Sequence, residues 1–329
     1  MMRTTTVCGA LLALLLIPAD GRAQSIESEL EALAQDNAQL YLHPLATGFG
    51  TALGTGFAQT ARTHNRFGFD LGVRIMGAIV PDADRTFLPI LPANVTYDGI
   101  DYGAPYEALG SGRTPTAAGD GSGVVLVPRG SFRGAIENAG ENPDDYNVQF
   151  PEGFDIPAVP FALIQGSLGV GFGTDVIIRM IPAYEVSADV GEISAFGFGF
   201  KHSIDQWLPV LPVELAGVVG WQSFAVGEYL DANSKTLSLI ASKGMGPFRA
   251  FASGGFASSS LDVSYTVSNP EANPGLPADG TTYGFTYRST SSTRGSVGVG
   301  MKLLLLDVSA EYALGAYNTA SVKVGFSFN

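Results

Sequence analysis

The chain has 329 residues, including 42 glycines; 15% of its residues are charged, and its formal net charge at pH 7 is −13. This acidic balance disfavours a nucleic-acid partner, because phosphate backbones attract basic surfaces. Low charge and high glycine content favour one large β-barrel over two soluble domains.

The first 23 residues are predicted to be a secretory signal peptide. Arg3 gives a positive start, residues 7–17 form an apolar stretch too short to span a bilayer, and Ala23 is the small residue that signal peptidase prefers. An uncleaved anchor or a buried strand is the alternative. Cleavage would remove Cys8, the only cysteine, and so exclude disulfides, cysteine-zinc sites and a cysteine nucleophile from the mature protein.

Residues 24–66 are predicted to form an amphipathic helix followed by a glycine-rich link. The helix starts at Ser25 or Ser28, which are alternative N-caps, and it ends before Pro44. Its apolar residues recur mainly at spacings of three, four and seven, at Ile26, Leu30, Leu33, Leu40 and Tyr41. We expect this helix either to cap the periplasmic end of a barrel or to plug its lumen.

The glycine-rich stretch at residues 47–57 reads TGFGTALGTGF. Glycines at similar spacing occur in phosphate-binding loops, but no strand leads into this stretch and no lysine follows it. We therefore predict a flexible link between the helix and the first strand.

A strict alternation of apolar residues with mostly small or charged ones begins at residue 67. The apolar set is Phe67, Phe69, Leu71, Val73 and Ile75, and the other set is Gly68, Asp70, Gly72, Arg74 and Met76. Successive side chains of a strand point to opposite faces, so one face of this strand is apolar. That face would form the core of a soluble sandwich or the lipid-facing wall of a membrane barrel.

Residues 81–157 are rich in glycine, proline, aspartate and tyrosine, and we predict that most of them form a long acidic surface loop. Short strands are expected near residues 86–90 and 124–127. Asp98 with Asp101, and Asp144 with Asp145, could hold a calcium ion, but they lack the ligand spacing of a calcium loop. We predict a solvated loop, with no metal and no cofactor.

Strand-like segments then follow one another to the end of the chain. They are residues 161–172, 176–186, 193–201, 213–226, 235–241, 248–265, 296–304, 306–314 and 320–328. Tight connections alternate with longer polar ones, as in outer-membrane barrels, and an even number of strands returns the C-terminus to the periplasm. Residues 67–329 are therefore predicted to form an all-β, antiparallel transmembrane barrel of about 10–14 strands.

If the apolar sets face lipid, the charged residues between them face the lumen. These lumen-lining candidates are Asp70, Arg74, Arg179, Lys201, Glu214, Lys302, Asp307, Glu311 and Lys323. Opposite charges across a small lumen are expected to pair, because unpaired buried ions are destabilising. The alternative role for them is to select a permeant molecule.

Several segments also carry a family resemblance. They are NAQLYLHP at 37–44, FGFD at 67–70, QGSLGVGFGTD at 165–175, IRMIP at 178–182, GFGFKH at 197–202 and YNTASV at 317–322. In their order the chain resembles an uncharacterised family of bacterial outer-membrane-type proteins, classed as a domain of unknown function. The resemblance spans nearly the whole mature chain, and it implies a fold and a location without a catalytic residue. A looser similarity, in architecture alone, is to outer-membrane transporters of long-chain fatty acids and aromatic hydrocarbons.

We expect a porin-like channel or transporter for small, hydrophobic molecules in the outer membrane of a Gram-negative-type bacterium. The expected partners are outer-membrane lipid, the barrel-insertion machinery and a small hydrophobic ligand. A structural or surface-interaction barrel is the alternative, and a hydrolase is the remote one. No catalytic residue is predicted, because His202, Ser203 and Asp205 are too close in sequence to form a triad.

Overall fold

The computed structural model describes residues 35–187, 191–208, 211–227, 230–266 and 282–328. The predicted signal peptide and the predicted helix start at Ser25 or Ser28 lie outside these ranges. In chain order the elements are α1 Gln35–Leu53, β1 Phe69–Ile79, β2 Thr86–Phe87, β3 Asn94–Tyr97, β4 Ile100–Gly103, β5 Tyr106–Ala108, β6 Thr114–Pro115, β7 Val125–Pro128, α2 Gly130–Asn138, β8 Val148–Gln149, β9 Ala158–Gly171, β10 Thr174–Ser187, β11 Gly191–Ser203, β12 Glu214–Val226, β13 Leu230–Met245, β14 Phe248–Thr266, β15 Thr282–Leu303, β16 Leu306–Leu314 and β17 Thr319–Phe328. Within the described ranges, neither helix is long and apolar enough to cross a membrane.

Ten of the described strands, β1 and β9 to β17, close into one antiparallel barrel. Each strand pairs with its neighbour in the chain, and β1 closes the circle by pairing with both β9 and β17. The predicted fold class is therefore confirmed, and each predicted strand segment corresponds to a barrel strand. Tight connections at residues 172–173, 246–247 and 304–305 lie at one end, here called the turn end, and residues 80–157 and 315–318 lie at the loop end.

The alternating pattern sets which face of each strand points outward. Along β17 every second residue is buried and every other one is exposed, with Lys323 4% exposed and its neighbours Val322 and Val324 nearly half exposed. In β1, Phe69 and Leu71 face outward in the same way. The apolar set thus forms the outer wall, and the charged set faces the lumen. Because side chains alternate with period 2, a register shift of one residue would have turned the charges outward.

The helix α1 lies within the barrel, against β1, β9 and β12 to β15. It runs through Pro44 and takes in residues 47–53, so the predictions of a helix stop before Pro44 and of a flexible link over residues 47–57 are wrong. Proline removes one helical hydrogen bond. Side chains buried on both sides of it, such as Tyr41 and Leu53, provide tertiary packing that offsets the loss.

The glycines of α1 and of the turn after it allow the chain to approach the barrel wall. A Cβ on Gly48 would overlap Val159 of β9, and one on Gly56 would overlap the guanidinium of Arg74. Gly56 also has a φ of 76°, a left-handed conformation that glycine adopts without strain and that turns the chain away from the helix axis. The glycines of residues 47–57, which predicted a flexible link, are therefore explained by close packing against the barrel wall.

Residues 80–157 fold into a cap over the loop end. The cap contains small sheets, β2 with β6, β3 with β4, and β5 with β7 and β8, so β2 and β7 fall at the two predicted short strands. Its core joins that of α1: the side chain of Asn37 exchanges two hydrogen bonds with the backbone of Ile90, at 2.8 and 2.9 Å. Tyr41 donates its hydroxyl to the backbone oxygen of Glu152 at 2.8 Å. The predicted loop is therefore more ordered than expected.

A tyrosine at the loop end ties the cap to the barrel. Tyr317, between β16 and β17, donates its hydroxyl to Asp84 Oδ2 at 2.7 Å. Burial, together with the Asp84 carboxylate, raises the pKa of Tyr317, so the phenol stays protonated and continues to donate in alkaline solution as well as at neutral pH.

Candidate functional site

The nine predicted lumen-lining residues all occupy inward-facing positions of their strands. They are Asp70, Arg74, Arg179, Lys201, Glu214, Lys302, Asp307, Glu311 and Lys323. Arg74 and Arg179 have no exposed surface, and Lys201 is 4% exposed. Buried charges of this kind require partners, and the structure supplies them in three groups.

The first group joins β1, β16 and β17. Arg74 Nη1 lies 3.2 Å from Glu311 Oε2 and donates to Ser321 Oγ at 2.7 Å. Lys323 forms an ion pair with Asp70. Arg74 and Lys323 are directly opposite each other in the β1–β17 register, so each cation turns towards a carboxylate instead of facing the other.

The second group surrounds a polar cavity of about 160 Å³ at the turn end. Arg249 donates two hydrogen bonds to the carboxylate of Asp307, at 2.6 and 2.7 Å. Arg62, on the chain segment that follows α1, lies 2.8 Å from Glu214. Lys302 lines the same cavity. Parallel bonds between a guanidinium and a carboxylate are strong and directional, so they fix this end of the lumen.

The third group binds main-chain oxygens of the segment inside the barrel. Arg179 donates to the carbonyl oxygens of Leu53 at 3.0 Å and Thr55 at 2.9 Å. Its guanidinium also lies 4.3 Å from the ring centre of Phe57. A cation at a helix C-terminus stabilises the helix and satisfies its free carbonyls, so Arg179 holds the end of α1 in mid-barrel.

Lys201 holds the same segment nearer the turn end. Its Nζ donates to the backbone oxygen of Arg62 at 2.6 Å and lies 2.9 Å from Asp175 Oδ2. Asp175 also accepts from the backbone N–H of His64 at 2.9 Å and contacts the Nδ1 of that imidazole at 2.9 Å. Residues 62–64 are thereby fixed to β10 and β11.

Four titratable residues of these networks were not among the predicted site residues: Arg62, His64, Asp175 and Arg249. Asp175 lies next to a tight turn, and His64 precedes the first strand, so neither belongs to a clear alternating run. Arg249 could have been found, because it shares inward parity with Phe251 and Ser253 on β14. Small residues on both faces of that strand weaken the alternation.

The residues considered for a catalytic triad make other contacts. Ser203 Oγ donates to Asp205 Oδ1 at 2.7 Å, whereas the two ring nitrogens of His202 lie 2.8 Å from Thr174 Oγ1 and 3.0 Å from Gln206 Nε2. A serine nucleophile needs an imidazole within hydrogen-bond reach. This arrangement lacks that contact between His202 and Ser203.

An apolar cavity of about 280 Å³ lies in the loop-end half of the barrel, between α1 and the inner wall. Its lining includes Leu45, Phe49, Val159, Phe161, Ile181 and Phe224. Phe49 stacks on Phe224 with ring centres 5.5 Å apart, and Phe161 meets Phe224 edge to face at 5.3 Å. Apolar walls exclude charged ligands, so this pocket suits a small hydrocarbon-like molecule.

A closed antiparallel barrel with an apolar outer wall and a polar, charge-paired interior has the architecture of outer-membrane β-barrels. Residues 2–328 match a family of unknown function, DUF6588, and the chain belongs to that family. The predicted family resemblance is thereby confirmed. No curated protein sequence matches the chain.

The fold is also similar to solved outer-membrane structures. The outer membrane protease OmpT from Escherichia coli aligns at 9% identity and a TM-score of 0.35, covering 83% of this chain and 100% of OmpT. The attachment invasion locus protein Ail of Yersinia pestis aligns at 7% identity and a TM-score of 0.19, covering 80% of this chain and 98% of Ail. The CymD monoaromatic hydrocarbon channel aligns at 10% identity and a TM-score of 0.24, covering 80% of this chain and 89% of CymD. Likenesses this distant carry no information on function.

Proposed function

We propose that the protein is an outer-membrane β-barrel that binds small apolar molecules between α1 and the inner face of the barrel and transports them. The observation that carries the proposal is the apolar pocket between α1 and the strands β9 to β12. Charged side chains of the interior are paired with one another or with main-chain oxygens, whereas this cavity is enclosed by apolar side chains beside the core that packs α1 against the strands. A cavity of about 280 Å³ is slightly below the range of roughly 300–1,000 Å³ that holds drug-sized ligands.

A membrane location is supported by the outer wall. Phe69, Leu71 and Phe326 are 44%, 52% and 64% exposed, and they belong to one apolar face. Contiguous apolar surface of this kind is unfavourable in water and favourable against lipid tails. Outer-membrane lipid and the barrel-insertion machinery are then the expected partners, with the turn end in the periplasm.

The contents of the barrel argue against an open pore. Residues 35–64 pass from the cap at the loop end to the turn end, and Arg179 and Lys201 bind their carbonyl oxygens on the way. This course favours the plug over the periplasmic cap for the N-terminal segment. Transport then requires a route other than free diffusion of ions along the barrel axis.

The test is a titration of purified protein in lipid nanodiscs with 1-N-phenylnaphthylamine, a small apolar dye that fluoresces in apolar sites. We expect saturable binding above the signal of empty nanodiscs. Ile193→Trp fills the pocket from β11 and should weaken binding at least tenfold. Val219→Trp places the same side chain on the outer wall and is the matched control.

Two results would contradict the proposal. One is a signal equal to that of empty nanodiscs, which would favour the structural or surface-interaction role. The other is equal affinity in wild type and Ile193→Trp, which would place the dye outside the pocket.

A further inference from the structure

The hydrogen-bonded ladder between β9 and β10 ends halfway up the barrel. Their register runs from Gly171 and Thr174 at the turn end to Ile164 and Met180, and no pair follows within the described residues. Both strands nevertheless continue: residues 158–163 stay paired with β1, and β10 stays paired with β11 as far as Ser187. Six residues of strand rise about 20 Å. The barrel wall therefore has a long seam without cross-strand pairing.

Proline residues lie on both edges of this seam. Pro160 is on β9 and Pro182 is on β10, and both are exposed. Proline has no amide hydrogen to donate to a neighbouring strand, so it is confined to edges and bulges. The pairing of β10 with β11 also shifts register between Ile181 and Tyr184, and such bulges bend a strand. The two prolines and the bulge therefore disfavour hydrogen bonding between these strand edges.

The apolar pocket lies directly behind the seam. Val159, Pro160 and Phe161 from β9 and Ile181 from β10 line it, and these residues belong to the unpaired parts of the two strands. Irregular backbone at membrane depth is tolerated where it lines a cavity and is strongly unfavourable against lipid alone. The seam and the pocket are therefore parts of one feature.

The axial routes to the pocket are obstructed. At the loop end, the cap is hydrogen-bonded to α1 through Asn37 and Tyr41. Towards the turn end, the chain after α1 is held in the lumen by Arg179 and Lys201. The ion pairs Arg249–Asp307 and Lys323–Asp70, which lie towards the turn end, also oppose the passage of an apolar molecule.

We infer that the pocket exchanges its ligand with the surrounding lipid through the seam between β9 and β10. The substrates are then apolar molecules small enough for the pocket that partition into the membrane. This inference rests on the proposed function, because it needs a ligand that occupies the pocket.

The test blocks the seam reversibly in a cysteine-free background made by Cys8→Ala. Ala183→Cys places a thiol in the exposed bulge of β10, and a bulky biotin methanethiosulfonate is attached to it. Ala320→Cys, on the exposed outer face of β17, is the matched control. Protein in nanodiscs is mixed with vesicles loaded with 1-N-phenylnaphthylamine, and the rate of dye uptake is followed by stopped-flow fluorescence.

We expect labelled Ala183→Cys to take up dye at least tenfold more slowly, to reach the wild-type equilibrium Kd within threefold, and to recover on reduction with dithiothreitol. Labelled Ala320→Cys should match the wild type. An unchanged rate in labelled Ala183→Cys, or an equilibrium Kd altered by more than threefold, would overturn the lateral route. If Ile193→Trp still weakened binding at least tenfold, the proposed function would survive that outcome. Absence of saturable binding in the wild type would overturn both.

Discussion

Arg179→Met should release the end of α1 from the barrel wall. The wild-type guanidinium donates to two carbonyl oxygens, at 3.0 and 2.9 Å, and lies 4.3 Å from the ring centre of Phe57. Methionine keeps an unbranched apolar stem in the buried site, but it donates no hydrogen bond to these carbonyl oxygens and carries no charge over the ring. The change therefore isolates the polar anchor from the packing around it.

The expected size of the effect follows from opposing terms. Two hydrogen bonds from a charged donor contribute about 1.5–3 kcal/mol each, and a desolvated cation–π contact adds about 2 kcal/mol. Against these, burial of the charge is unfavourable by several kcal/mol, and nearby Arg74 repels it. We expect a net loss of about 2–3 kcal/mol in the free energy that holds the segment, or about a 30- to 150-fold shift in its opening equilibrium.

Hydrogen-exchange mass spectrometry measures this shift directly. Peptides covering residues 48–57 should exchange about 30- to 150-fold faster in Arg179→Met, whereas peptides of β16 should be unchanged. Arg133→Met is the control, because Arg133 is half exposed on α2 and pairs only with Glu137 of the same helix among the contacts described. Equal exchange of residues 48–57 in Arg179→Met and wild type, with the barrel folded in both, would refute the anchoring role.

Further predictions concern the segment inside the barrel and its packing. Deletion of residues 24–53 should raise ion conductance in planar bilayers, because it removes α1 from the lumen, and unchanged conductance would contradict occlusion. Gly48→Ala should destabilise the protein by about 1–3 kcal/mol through overlap with Val159. Gly134→Ala, in a helix with open space around it, should be neutral or stabilising by up to about 1 kcal/mol, and thermal melts should therefore separate the two variants.

The barrel could be predicted from sequence because its signal is local. In β17, Val322, Val324 and Phe326 alternate with Lys323 and small residues, so strand type and facing follow from period 2 alone. The predicted signal peptide and the alternation of short and long connections then favoured a barrel over a sandwich. These features need no knowledge of distant contacts.

The helix and its anchors could not be predicted in the same way. Pro44 and the glycines at 48, 50, 54 and 56 are local signals for a helix end and a linker, but packing inside the barrel overrides them. Arg179 lies on the inward face of β10 and has no exposed surface. Its partners are main-chain oxygens more than a hundred residues away, and no alternation pattern encodes such a contact.

The seam between β9 and β10 could not be predicted from the sequence either. Pro160 and Pro182 mark strand edges, but a proline alone does not say which neighbour is missing. The missing pairs follow from the register, which the structure supplies. The apolar pocket likewise joins residues from α1, the cap and four strands, so its lining has no contiguous signature.

The central claim is that an apolar molecule binds between α1 and the wall formed by β9 to β12. Anomalous diffraction from crystals grown with 1-bromonaphthalene tests it most directly, because bromine locates the ligand without reference to the protein. The account predicts bromine density among Phe49, Phe161, Ile181 and Phe224, and its loss in Ile193→Trp. Bromine density confined to the lipid-facing surface, with the pocket empty in the wild type, would contradict the account.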